Sequence, residues 1–246
     1  MKDNMMTEKS KLSICINRQP REIRCALLTI LETFRKNSIF TFLGEEPLHV
    51  KLSKQEVKQR FIDNVNLIED VDLKQKALEN IELLIKDFPD GFDLENNIDD
   101  QKHHTDINKE INNLRLQCYF ETVTETHDSK YKNTNVSIIT EKALWPILNH
   151  MPFIIVGHRA NYRFLKKLGF NLFEKSLLTE SDTSSNYEEN LLNVRKLFER
   201  MSEKNLDDWV TKNMEACTHN YSTLINTDWK RVERDTIRNL LEYYKF

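Results

Sequence analysis

Apolar positions near the start of the chain form two short runs with a helical pattern between them. Residues 12–16 (LSICI) and 39–43 (IFTFL) each predict a buried strand, and the second run ends at Gly44. Between the runs, apolar side chains from Ile23 to Phe34 recur at helical spacing. A strand, a helix and a second strand in this order favour parallel pairing through a right-handed crossover.

The same alternation continues along the chain. Further strands are predicted at residues 116–123, 152–156 and 170–173. Helices are predicted at residues 51–63, 72–88, 140–148 and 161–168, and from residue 187 onward. Polar stretches at 89–110, 125–135 and 174–186 predict loops.

This order of elements predicts an α/β fold, in which a Rossmann-like parallel sheet is sandwiched by helices and followed by a helical C-terminal region. We expect residues 11–175 to form the sheet-containing domain, with a helical insertion at 44–115. Residues 176–246 are expected to form helices that pack on that domain.

The composition argues against several classes of function. The formal net charge of −3 provides no overall positive field toward nucleic acid. Only four glycines are present, and they cannot supply a GxGxxG turn or a P-loop. Side chains and helix N-termini would therefore have to hold any bound phosphate. The four cysteines form no CxxC pair, so we expect buried thiols and no metal site.

The first residues, MKDNMMTEKSK, lack the apolar core of a signal peptide. No run in the chain approaches the roughly 20 apolar residues that cross a bilayer. We therefore expect a cytoplasmic protein with no membrane partner.

The first candidate site is a Thr-Glu-Lys triplet, Thr140, Glu141 and Lys142, at the start of a predicted helix. A helix N-terminus carries unpaired N–H groups and a partial positive charge, which suit a diphosphate. Lys142 adds a full charge, and Glu141 can accept hydrogen bonds from a ribose. The alternative is an ordinary capped helix with Thr140 as its N-cap.

The second candidate site follows the first strand and comprises Asn17, Arg18, Arg21 and Arg24. In open α/β sheets, ligands bind beyond the carboxyl ends of the strands, where arginines can hold an anion bidentately. A solvated basic turn is the alternative interpretation.

Further polar residues follow two later strands. Glu121, Thr122, Thr124 and Glu125 lie at the end of the strand predicted at 116–123, where they could bind hydroxyl groups. The alternative is a set of structural polar residues at a strand end. One of these carboxylates could act as a general base, and Glu125 is the candidate catalytic residue. His158 and Arg159 follow the strand at 152–156 and could face the same pocket.

Several motifs together resemble the nucleotide-sugar-binding domain of fucosyltransferase-like GT-B glycosyltransferases. These motifs are INRQPREIR (16–24), VTET (123–126), TEK (140–142) and PFIIVG (152–157). The continuation through LGF (168–170) is similar to members encoded by phages and giant viruses. The resemblance covers residues 11–43 and 116–175, and a complete GT-B enzyme would need a second Rossmann-like domain.

The resemblance implies that the protein binds a nucleotide diphosphate sugar as co-substrate, without any other cofactor. Glu141 would bind the ribose and Lys142 the diphosphate, assisted by Arg18, Arg21 or Arg24. Glu125 would lie near the donor sugar. It implies a metal-independent, inverting transferase whose acceptor is a glycan, a protein or modified DNA.

Two other functions stay open at this point. The first is a non-catalytic viral module that retains the glycosyltransferase fold and binds a virion component or another copy of itself. A viral member of this kind would reside in the host cytoplasm or in the virion. The second is nucleic-acid binding through the basic stretch at 159–167 (RANYRFLKK), for which solvated helix faces are the alternative.

Overall fold

The computed structural model describes the greater part of the chain. The described residues are 9–17, 22–42, 45–46, 50–51, 53–86, 111–124, 141–157, 159–173, 177 and 187–234. The strands are β1 (Lys11–Asn17), β2 (Ile39–Phe42), β3 (Glu45–Glu46), β4 (Val50–Lys51), β5 (Cys118–Thr124) and β6 (Phe153–Val156). The helices are α1 (Glu22–Ile30), α2 (Lys54–Asn66), α3 (Val71–Lys86), α4 (residues 111–116), α5 (Glu141–Leu148), α6 (Ala160–Lys167), α7 (Tyr187–Ser202), α8 (Leu206–Asn226) and α9 (residues 229–234). A 3₁₀ helix, Glu32–Asn37, follows α1.

The protein has an α/β fold built on a four-stranded parallel sheet in the order β2-β1-β5-β6. This confirms the predicted fold class. The crossover from β1 to β2 and the crossover from β5 to β6 run in opposite directions along the sheet. Right-handed crossovers of opposite direction place α1 and α5 on opposite faces. The sheet is therefore wound on both sides.

The helices form two packed layers around this sheet. On one face α1 packs against α2, α3 and α7, and on the other α5 packs against α8. The apolar core is continuous, and in it the ring of Phe120 on β5 lies edge-on to those of Phe198 on α7 and Trp209 on α8. All four cysteines are buried free thiols, as predicted. The C-terminal helices thus complete the core of the sheet domain.

Element boundaries differ from the sequence-based prediction in two places. The helix predicted to start at residue 51 starts at Lys54, because the Ser53 hydroxyl and the Glu56 carboxylate form a capping box there. Residues 50–51 pair instead with residues 45–46 in a short antiparallel hairpin. The strand predicted from residue 116 starts at Cys118, because residues 111–116 are helical.

The prediction of a strand at residues 170–173 was wrong. Asn220, on α8, takes the place of a neighbouring strand: its amide group accepts from the Asn171 N–H at 2.7 Å and donates to the Asn171 carbonyl at 2.8 Å. Gly169, which directly follows the helix predicted at residues 161–168, ends α6 with a φ of +92°, and Phe173 has a φ of +57°. An irregular segment with side-chain partners therefore follows α6.

Strand β6 has an internal partner for its backbone at Ile155. The hydroxyl of Tyr162, on α6, accepts from the Ile155 N–H at 3.2 Å and donates to the Ile155 carbonyl at 3.1 Å. One buried side-chain oxygen thus satisfies two backbone groups of a strand that ends the sheet.

Candidate functional site

The strand order reverses between β1 and β5, which defines where a ligand would bind. From β1 the chain crosses to β2 on one side, and from β5 it crosses to β6 on the other. At such a switch point the loops leave in opposite directions and open a crevice beyond the carboxyl ends of the two strands. A ligand in this crevice would contact residues at the carboxyl ends of β1 and β5.

Arg24 lies at the switch point. It is in the first turn of α1, directly after β1, and its side chain is buried with 6 % exposure. Its Nε donates to the Thr124 hydroxyl at 3.3 Å, and Thr124 is the last residue of β5. The structure therefore brings together one residue from the predicted arginine cluster and one from the predicted cluster after β5.

A second polar pair lies deeper between the same two strands. The hydroxyl groups of Ser13 and Thr122 are 2.8 Å apart, and both residues are buried. This bond joins β1 to β5 inside the sheet. Thr122, from the cluster predicted at the end of β5, thus stabilises the pairing of β1 with β5 next to Arg24 and Thr124.

Lys142 lies in the first turn of α5 and is partly buried. Because α5 leads from β5 into the parallel strand β6, its N-terminus lies at the carboxyl edge of the sheet. The helix starts at Glu141, which confirms the predicted start and places Lys142 at this edge. The side chain of Glu141 lies outside the described part of the chain.

Six predicted site residues are described only in part or not at all. Asn17 ends β1, and its side chain lies outside the described residues. Predictions for the following residues also lie outside them: Arg18, Arg21, Glu125, Thr140 and His158.

Glu121, from the cluster predicted at the end of β5, forms a buried ion pair with Arg115. Its carboxylate is buried and accepts two hydrogen bonds from Arg115, Nε at 2.7 Å and Nη2 at 3.0 Å. Arg115 Nη1 also donates to Asn112, and the guanidinium lies 5.7 Å from the ring centroid of Trp145. Burial raises the pKa of the Glu121 carboxyl, and Arg115 opposes that shift. This ion pair is structural and joins α4, β5 and α5.

Arg159, which the sequence analysis named with His158, lies at the carboxyl edge, between β6 and α6. Its Nε is buried and has no hydrogen-bond partner within the described structure. It makes no capping bond to α6. Nearby, the buried Asn190 of α7 donates to the Gly157 carbonyl at 3.3 Å. A buried donor without a partner is costly, and a bound anion is one way to satisfy it.

The fold and these residues define an α/β protein with a doubly wound parallel sheet and basic side chains at its carboxyl edge. No family model, curated protein or solved structure matches the chain. Within the described ranges, no helix is both long and apolar enough to cross a membrane. The same ranges contain no group of three or more His, Cys, Asp or Glu side chains arranged to hold a metal ion.

Proposed function

We propose that the protein binds a nucleotide diphosphate sugar at the carboxyl edge of its sheet and transfers the sugar to an acceptor. The observation that carries this proposal is Arg24, buried at the switch point between β1 and β5 and bonded to Thr124. Lys142 in the first turn of α5 and Arg159 before α6 add two cations to the same edge. A diphosphate is the common anionic ligand that several cations and helix N-termini suit together.

In this proposal the reaction is metal-independent. Lys142 and the arginines would stabilise the negative charge that develops on the leaving diphosphate. Glu125, directly after Thr124 in the sequence, would act as the base or contact the donor sugar. Inversion at the sugar carbon would follow from direct attack by the acceptor hydroxyl.

Binding is tested by calorimetry with UDP, GDP, CDP and ADP, and with their sugar conjugates. We expect one nucleotide series to bind, and Lys142→Ala to weaken that binding about tenfold or more, as loss of a charge-assisted hydrogen bond would do. The matched control is Lys167→Ala, because Lys167 is exposed at the far end of α6. No binding by any series, or equal effects of the two variants, would refute the proposal.

Arg159→Gln gives a second test that separates binding from stability. Because the Arg159 side chain has no partner in the described structure, its replacement should leave the thermal unfolding midpoint unchanged or raise it. The same variant should bind the nucleotide less tightly. A lower midpoint with unchanged binding would assign Arg159 a structural role instead.

Transfer is tested by mass spectrometry of released nucleoside diphosphate, with EDTA present and a panel of glycan, protein and modified-DNA acceptors. Release of nucleoside diphosphate that depends on an acceptor supports the proposed transferase activity. Binding without release supports the second candidate, a non-catalytic interaction module. That candidate is motivated by the single parallel sheet in the described part of the chain, where a complete GT-B enzyme has two.

A further inference from the structure

A cleft of about 580 Å³ lies between α8 and the segment that follows α6. We call it the α8 cleft. One wall is formed by Lys166 and residues 169–173, and the other by α8 from Lys212 to His219. It lies toward the amino ends of the strands, because the ring of Phe173 packs 5.7 Å from that of Phe153, the first residue of β6. The α8 cleft is therefore separate from the carboxyl-edge site.

The wall after α6 is held in a fixed shape. Besides the two bonds between Asn220 and Asn171, His219 Nε2 lies 2.8 Å from the Gly169 carbonyl. Phe173 adopts a left-handed φ of +57°, which costs a bulky residue on the order of 1 kcal/mol or more. Backbone strain of this kind is often retained at ligand sites, where it pre-organises the wall.

The α8 cleft carries more positive than negative charge. Lys166 contributes from one wall and Lys212 from the other, while Glu215 is the one carboxylate among its lining residues. Lys212 and Glu215 are three residues apart on α8, yet they form no ion pair within the described structure. Its lining also includes Ala216 and the buried side chains of Phe170 and Leu172. The α8 cleft thus combines an available ammonium group with an apolar surface.

We propose that the α8 cleft binds a small organic anion, in which a phosphate or carboxylate contacts Lys212 and Lys166 and an apolar part rests against Ala216. The volume is within the range of about 300–1,000 Å³ typical of small-molecule sites. Ammonium groups beside apolar side chains suit a ligand with one anionic end and one apolar end. This site is independent of the carboxyl-edge site and of the function proposed for it.

The test is a titration of the ¹⁵N-labelled full chain by NMR with phenyl phosphate, benzoate and neutral phenol. We expect saturable shifts at Gly169, Asn171 and Lys212 with at least one anion, and much weaker binding of phenol. A preference between the two anions identifies the group that the site recognises. No saturable shift at these residues, or equal binding of phenol, would overturn the proposal.

Two charge reversals make the test specific. Lys212→Glu should weaken anion binding at least about fivefold at low salt, an effect that added salt reduces. Lys196→Glu, on the exposed surface of α7, makes the same change in net charge and should have no such effect. Equal effects of the two variants would show that net charge alone governs anion binding, and would refute the proposed site. Nucleotide binding at the carboxyl edge should be the same in both variants, so the two proposals fail separately.

Discussion

Arg115→Met is expected to destabilise the protein strongly. The substitution removes two hydrogen bonds, of 2.7 and 3.0 Å, from a Glu121 side chain that is only 3 % exposed. Methionine fills much of the volume but leaves the carboxylate without a partner. Breaking a buried ion pair from one side costs about 3–5 kcal/mol, since the remaining charge stays desolvated. Urea unfolding followed by circular dichroism at pH 7 measures this loss.

The loss should depend on pH in a defined direction. Burial already raises the pKa of Glu121, and Arg115 is the group that opposes the shift. Removing Arg115 raises the folded-state pKa further, so the neutral carboxyl is favoured in the folded variant. A raised folded-state pKa gives stability that is present below the unfolded value, about 4.3, and is lost as pH rises through the folded value. The deficit of the variant should therefore be smaller at pH 4.5 than at pH 7.

Two controls define what would refute this reasoning. Arg195→Met breaks the surface pair of Arg195 with Glu199, at 3.1 Å, and should cost less than about 0.5 kcal/mol. The double variant Arg115→Met/Glu121→Met should recover most of the stability, because no charge stays buried. A deficit below about 1 kcal/mol for Arg115→Met at pH 7, or an equal deficit at both pH values, would show that Glu121 gains little from its partner.

Three further predictions follow from buried contacts. Tyr162→Phe leaves both backbone groups of Ile155 without the hydroxyl and should cost about 1–3 kcal/mol in urea unfolding; an unchanged midpoint would mean that water replaces it. Asn220→Ala removes both bonds to Asn171 and should cost a similar amount, with faster hydrogen exchange at the Asn171 amide; protection equal to that of the parent protein would contradict this. Burial raises the pKa of Cys25 to about 12, so its thiol should resist alkylation at pH 8 in the native state and react in urea, as peptide mapping would report.

Local patterns were enough to predict β1, α1 and β2. Apolar residues form a short run in each strand and recur at helical spacing in α1, and the three elements follow one another directly in the sequence. The crossover rule then determined how the two strands pair. The same reasoning located the start of α5 and, within one residue at each end, the range of α6.

The strand prediction failed where a partner from a distant part of the chain decides the structure. Residues 170–173 have the apolar composition of a strand, but Asn220 lies 49 positions further along the chain than Asn171 and supplies its backbone partners. For Glu121, the sequence left a ligand role and a structural role open, and the structure pairs it with Arg115 from the preceding helical turn. Neither pairing leaves a periodic signal in the sequence. At the candidate site, sequence identified Arg24 but not its bond to Thr124.

The phenolic oxygen of Tyr162 also bears on self-association. A parallel strand with open N–H and carbonyl groups is a template on which another chain can add, during folding or in concentrated solution. At Ile155 that template is already occupied by a residue only seven positions away in the sequence. Domain swapping or polymerisation through this side of the molecule would first have to displace the ring.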